Sequence, residues 1–176
     1  MRKIDVIFVT PQEGTPWQRF VDAFIQMIIL RAEKGKYSHA ALRFDDYIYE
    51  AAITGIVKSP RTEYDTERVK EVFTIYVTNA QYAKAKATAE LMLGTKYGWD
   101  DCVIGGIHDL FGDDVSNKVK WMNFKNTIDC SAFSTTVLRE IFPEFLADEN
   151  PCEITPETEE QAMEELANDQ SNIRVN

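Results

Sequence analysis

Cys130 is the residue in this sequence best placed to act as a nucleophile, because of what surrounds it. It lies in Thr127-Ile128-Asp129-Cys130-Ser131-Ala132-Phe133-Ser134-Thr135-Thr136-Val137-Leu138. Phe133, Val137 and Ile141 recur at helical spacing, and Leu138 with Phe142 widens the apolar stripe. Asp129 suits the N-cap, since its carboxylate can accept from the unpaired amides of a first helical turn. A cysteine next to it sits at the positive end of the helix dipole, which favours thiolate over thiol. The same stretch equally suits a cysteine that is only a small buried hydrophobe. A base held elsewhere in the chain has to separate the two.

The chain has two histidines, His39 and His108. His39 belongs to Ser38-His39-Ala40-Ala41-Leu42-Arg43-Phe44, which with Tyr47-Ile48-Tyr49-Glu50-Ala51-Ala52 reads as a hairpin around Asp45-Asp46. A turn centred there pairs Phe44 with Tyr47, Arg43 with Ile48 and Ala41 with Glu50. His39 and Glu50 then share a face as diagonal neighbours within side-chain reach. A carboxylate so placed accepts from one ring nitrogen and leaves the other to take a proton from a thiol. A one-residue slip in register would put the two on opposite faces. An ordinary ion pair on a sheet would leave the same signature. His108, between Ile107 and Asp109, reads as a surface or half-buried histidine. Cys102 precedes Val103 and Ile104 and reads as packing. Cys152, between Pro151 and Glu153, sits where nearby acids disfavour a thiolate.

The elements that must position these residues are of mixed type. Lys3 to Thr10 reads as a buried strand, and Thr15-Pro16 starts a helix predicted from Trp17 to about Lys34. After the hairpin come strands predicted near Gly55–Ser59 and Arg68–Thr78, then an alanine-rich helix from about Ala80 to Leu93. Trp99 to Leu110 is weakly helical because of Gly105-Gly106. The Cys130 helix runs to about Ile141, and an acidic helix covers Glu157 to Asn168. Strands and helices without βαβ alternation give an α+β class.

Length and composition narrow the function classes. The 176 residues form one domain with enough chain to bury a core. Three cysteines without a CxxC pair argue against a disulfide framework or structural zinc. Asp5 interrupts the short apolar run after Arg2-Lys3, which does not suit a signal peptide, and no stretch reaches transmembrane length. The expected location is therefore cytoplasmic. Net charge is −10, and residues 140–176 account for it with eleven acids and one base. Without a basic block, nucleic acid and anionic membrane are poor candidates as partners.

Taken in order, the opening strand, Tyr37-Ser38-His39-Ala40-Ala41, Tyr49-Glu50-Ala51, Gly55-Ile56-Val57 and the late Asp129-Cys130-Ser131 resemble a known family. It is the circularly permuted branch of the NlpC-type papain-like cysteine peptidases, the YiiX/YaeF-like proteins, in which the histidine precedes the cysteine. The resemblance spans about residues 3–142 and implies a permuted papain-like fold, a small antiparallel sheet packed with helices. It implies Cys130 as nucleophile, His39 as base and Glu50 as the orienting residue. Lys96-Tyr97-Gly98-Trp99 looks like the tyrosine-containing stretch ahead of the nucleophile, so Tyr97 is expected to supply an oxyanion donor. Ala132 departs from the glycine usual in the unpermuted motif. The lack of a lipoprotein cysteine favours an intracellular or phage-associated amidase over a periplasmic one.

The resulting expectation is a cysteine hydrolase cleaving an amide through an acyl-enzyme on Cys130, with peptidoglycan-type peptides as one substrate class. No metal or organic cofactor is called for. Residues 1–150 would form the catalytic domain and 151–176 an acidic extension whose short helix packs on it; turnover is expected to survive removal of Glu157–Asn176, with some loss of stability. Two rivals remain. Acyl transfer of the lecithin–retinol-acyltransferase kind would bring an N-C-E-H-type motif and a membrane anchor. A catalytically silent binding or structural protein would use the acidic segment as its interaction element.

Overall fold

The computed structural model describes residues 1–10, 37, 39–52, 54–61, 69–97, 127–151, 154–169 and 173–175. The helices predicted over Trp17–Lys34 and Trp99–Leu110 lie outside them. The described residues form an α+β structure built on a six-stranded antiparallel sheet. Its strands are β1 (Arg2–Val9), β2 (His39–Phe44), β3 (Tyr47–Ala52), β4 (Gly55–Pro60), β5 (Val69–Val77) and β8 (Ile173–Val175). Their order across the sheet is β4-β3-β2-β1-β5-β8. A separate parallel pair joins β6 (Lys96–Tyr97) to β7 (Thr127–Ile128). The helices are α1 (Asn79–Leu91), α2 (Cys130–Arg139) and α3 (Pro156–Asp169).

The sequence of β1 explains its central position, since the run from Ile4 to Val9 is buried without interruption. Ile4, Val6 and Phe8 enter the main core with Leu42, Phe44, Tyr49, Phe73 and Ile75. Ile7 and Val9 enter a smaller cluster with Ala41 and Ile48. Asp5 is also buried, and both neighbouring strands satisfy it: Arg43 Nε donates at 2.7 Å and Thr74 Oγ1 at 2.8 Å. A charge inside a sheet persists only when paired in this way.

The β2–β3 hairpin pairs Phe44 with Tyr47, Arg43 with Ile48, Leu42 with Tyr49 and Ala41 with Glu50. Asp45 makes the turn at φ 54°, a left-handed conformation that aspartate tolerates. The turn therefore closes without glycine.

Helix α1 starts at a capping box formed by Thr78 and Gln81 and buries Tyr82, Ala85 and Ala89. Helix α2 buries Phe133, Val137 and Leu138 in the main core. The C-terminal acidic segment also contributes to this core. Met163 of α3 is fully buried there, and β8 extends the sheet at β5, with Phe73 opposite Val175. Among the described residues, no helix is long and apolar enough to cross a membrane.

Candidate active site

Chain geometry brings Cys130 to the first residue of α2. Asp129 caps the helix, its carboxylate accepting from the Ala132 N–H at 2.7 Å, and its carbonyl accepts from the Phe133 N–H at 3.0 Å. Cys130 is buried at 6% exposure, and Ala132 is 1% exposed. The chain reaches Cys130 through β7, whose Ile128 pairs with Tyr97 of β6. The backbone of Tyr97 is thus opposite a residue two positions before the cysteine. Its side chain lies outside what the structure describes.

A glycine holds this approach in place. Gly55 opens β4 at φ +117°, and a Cβ there would lie 2.5 Å from the Thr95 carbonyl oxygen. With no side chain at 55, Ile56 N–H donates to Thr95 O at 2.8 Å and Gly94 N–H donates to Ile56 O at 2.9 Å. The segment leading into β6 is docked on β4 by these two bonds.

His39 is the first residue of β2, and its Nε2 lies 2.8 Å from Glu50 Oε2. Glu50 stands across from Ala41, a member of the smaller cluster, whereas Cys130 belongs to the main core beneath the helices. The imidazole, at the end of its strand, is where groups from the two sides meet. Burial pushes its pKa down. Hydrogen bonds with Cys130 and then Glu50, together with their negative charge, outweigh burial and raise it to about 10. A ring held between a carboxylate and a thiol can carry a proton away from sulfur and return it to a leaving group.

Sequence reasoning missed Glu159. It is fully buried, and the Ser134 hydroxyl, one turn along α2 from Cys130, lies in hydrogen-bond contact with its Oε2 at 2.7 Å. Burial raises its pKa to about 8; the Ser134 bond lowers it, the Asp129 charge raises it and His39 lowers it. A signal existed, because Glu159 shares the inner stripe of α3 with Met163 and Leu166 at helical spacing. Within the run Glu157-Thr158-Glu159-Glu160, that stripe is easily overlooked.

Of the sequence-derived candidates, the structure brings Cys130, His39 and Glu50 together and places the Tyr97 backbone alongside. His108, Cys102 and Cys152 lie outside the described residues. Glu71, Glu160 and Glu164 bring carboxylate oxygens within 4.8 Å of one another. Tyr37 already donates to Glu71 at 2.7 Å, and carboxylates alone do not define a metal centre. No family model, no curated protein and no solved structure matches the chain.

Proposed function

We propose that this protein is a cysteine-dependent hydrolase that cleaves an amide through an acyl-enzyme on Cys130, on a permuted papain-like scaffold of the NlpC type. One observation carries the reading: His39 is shared between the Glu50 carboxylate at 2.8 Å and the Cys130 side chain at a helix start. An inert ion pair on a sheet needs the first contact and not the second. The order of the elements, histidine strand before cysteine helix, supports the permuted arrangement.

In this reading the Cys130 proton passes to His39 and the sulfur attacks the carbonyl carbon. The Cys130 backbone N–H, which has no partner within its own helix, holds the oxyanion, with Tyr97 as the second donor. His39 protonates the leaving amine as the C–N bond breaks. It then takes a proton from water, which attacks the thioester and releases the acid and the thiol. Glu50 holds the imidazolium in both halves. The substrate is a peptide or other acyl amide, and peptidoglycan-type peptides are the class to which the resemblance points.

The test is acyl-enzyme formation, followed by intact mass, across peptidoglycan peptides, isopeptides and acyl esters. The reading expects an adduct on the wild-type protein with at least one amide and none on Cys130→Ala. Adducts with esters only, transferred to an added alcohol or amine in preference to water, would replace hydrolysis by acyl transfer. No adduct with any class would favour a silent protein on the same scaffold.

A further inference from the structure

We propose that Glu159 is a positioning residue for the nucleophile, acting through Ser134 on the carbonyl of Cys130. This rests on the reading of Cys130 as the nucleophile and adds a residue from the C-terminal helix to its support.

The site around Ser134 is short of protons. The Ser134 hydroxyl lies 2.7 Å from Glu159 Oε2, 3.0 Å from the Cys130 carbonyl oxygen and 3.2 Å from that of Ser131. One hydroxyl has one hydrogen and cannot serve three acceptors. The other carboxyl oxygen, Glu159 Oε1, is buried with no hydrogen-bond partner among the described residues. An ionised carboxylate left half bare in a dry site is costly, and a neutral carboxylic acid much less so. Among the described residues, the charged groups acting on Glu159 are Asp129, just ahead of α2, which opposes its ionisation, and His39 on β2, which favours it. With burial added, the balance lies on the neutral side at pH 7.

The neutral acid resolves the shortage. Protonated Glu159 Oε2 donates to Ser134 Oγ, and the Ser134 hydrogen is then free for the Cys130 carbonyl. That carbonyl belongs to the peptide unit joining Cys130 to Ser131, so its orientation fixes the nucleophile's own Cα. When Glu159 ionises, Ser134 turns its hydrogen to the carboxylate and the Cys130 carbonyl loses this bond. The same event places a negative charge near the His39 imidazole. The nucleophile therefore has one setting below the Glu159 titration and another above it.

The experiment measures the second-order rate of Cys130 alkylation by iodoacetamide from about pH 6 to pH 9. It uses the full chain as wild type, Glu159→Gln, Glu159→Leu and His39→Ala. Gln keeps a neutral hydrogen-bonding group at every pH, whereas Leu fills the space without one. The Gln-to-wild-type rate ratio should be near one at pH 6 and change at least threefold by pH 9, about the effect of one hydrogen bond. Leu should be slower than Gln at pH 6 by a similar factor. A flat Gln ratio across the range, or Leu matching wild type at every pH, overturns the proposal. His39→Ala keeps the two questions apart. If it leaves the Cys130 rate unchanged, the nucleophile reading fails, while the Gln ratio still reports on Glu159.

Discussion

His39 and Glu50 meet at 2.8 Å although they are diagonal, not direct, partners across the β2–β3 hairpin. The direct partner of Glu50 is Ala41, whose small side chain leaves room for the carboxylate to lean along the strand toward the imidazole. Glu50→Gln removes the charge and retains the shape. It should lower Cys130-dependent turnover by roughly 10²-fold or more, as loss of a triad carboxylate does. The melting temperature should move by no more than a few degrees. Unchanged turnover in Glu50→Gln would make the contact purely structural.

Stability should fall with rising pH in two overlapping windows. Glu159 binds its proton more tightly folded than unfolded, so stability is lost between about 4.5 and about 8 as the unfolded chain gives up the proton first. The loss by pH 8 is on the order of 4 kcal/mol. His39 is raised from 6.5 to about 10, so its stabilising contribution is complete below 6.5 and disappears as pH climbs through about 10. Urea titrations at a series of pH values should show Glu159→Gln flattening the lower window and leaving the upper one. A Gln variant with the wild-type slope between pH 5 and 8 would mean that the Glu159 carboxyl is not neutral in the folded protein.

Gly55→Ala should be among the more damaging single-methyl changes. The new Cβ meets the Thr95 carbonyl at 2.5 Å, and the residue sits at φ +117°. Strain of this kind costs about 1–3 kcal/mol, and the clash adds to it. Because Thr95 leads into β6, and β6 pairs with the strand entering Cys130, the variant should also slow Cys130 alkylation. Thermal unfolding and alkylation of the same sample check both effects. A variant as stable as wild type would show that the Thr95 segment is not docked on β4.

The C-terminal segment cannot be trimmed freely. The sequence-based expectation allows some loss of stability when Glu157–Asn176 is trimmed, and α3 and β8 show its source: they supply buried Met163, buried Glu159 and an edge strand. Removing residues 156–176 should cost at least the 2–5 kcal/mol of a buried methionine and collapse the near-UV circular dichroism. A truncated chain that retains a cooperative unfolding transition would contradict this.

The hairpin and the Cys130 helix were legible because local rules determine both. Alternation with an acidic pair fixes the register of Ala41 with Glu50, and Asp129 ahead of an apolar 3.6-residue stripe fixes the helix start. The short strands β6, β7 and β8 were not legible. Each has two or three residues, too few to show a period, and each exists because a distant partner supplies its hydrogen bonds. The meeting of His39 with Cys130 depends on how a helix packs over the sheet, and local pattern does not encode that. Glu159 was hidden for a related reason. Its place on an inward stripe was readable, but the serine that receives it is on another helix.

Whether His39 activates Cys130 is measured most directly by iodoacetamide labelling at mildly acidic pH, read by peptide mass mapping in wild type and His39→Ala. Cys130 should label ahead of Cys102 and Cys152 in the wild type. Its rate should fall by roughly tenfold or more in His39→Ala, because no imidazole remains to take the thiol proton. Equal labelling of the three cysteines, or a Cys130 rate unchanged by loss of His39, would mean that His39 does not activate Cys130.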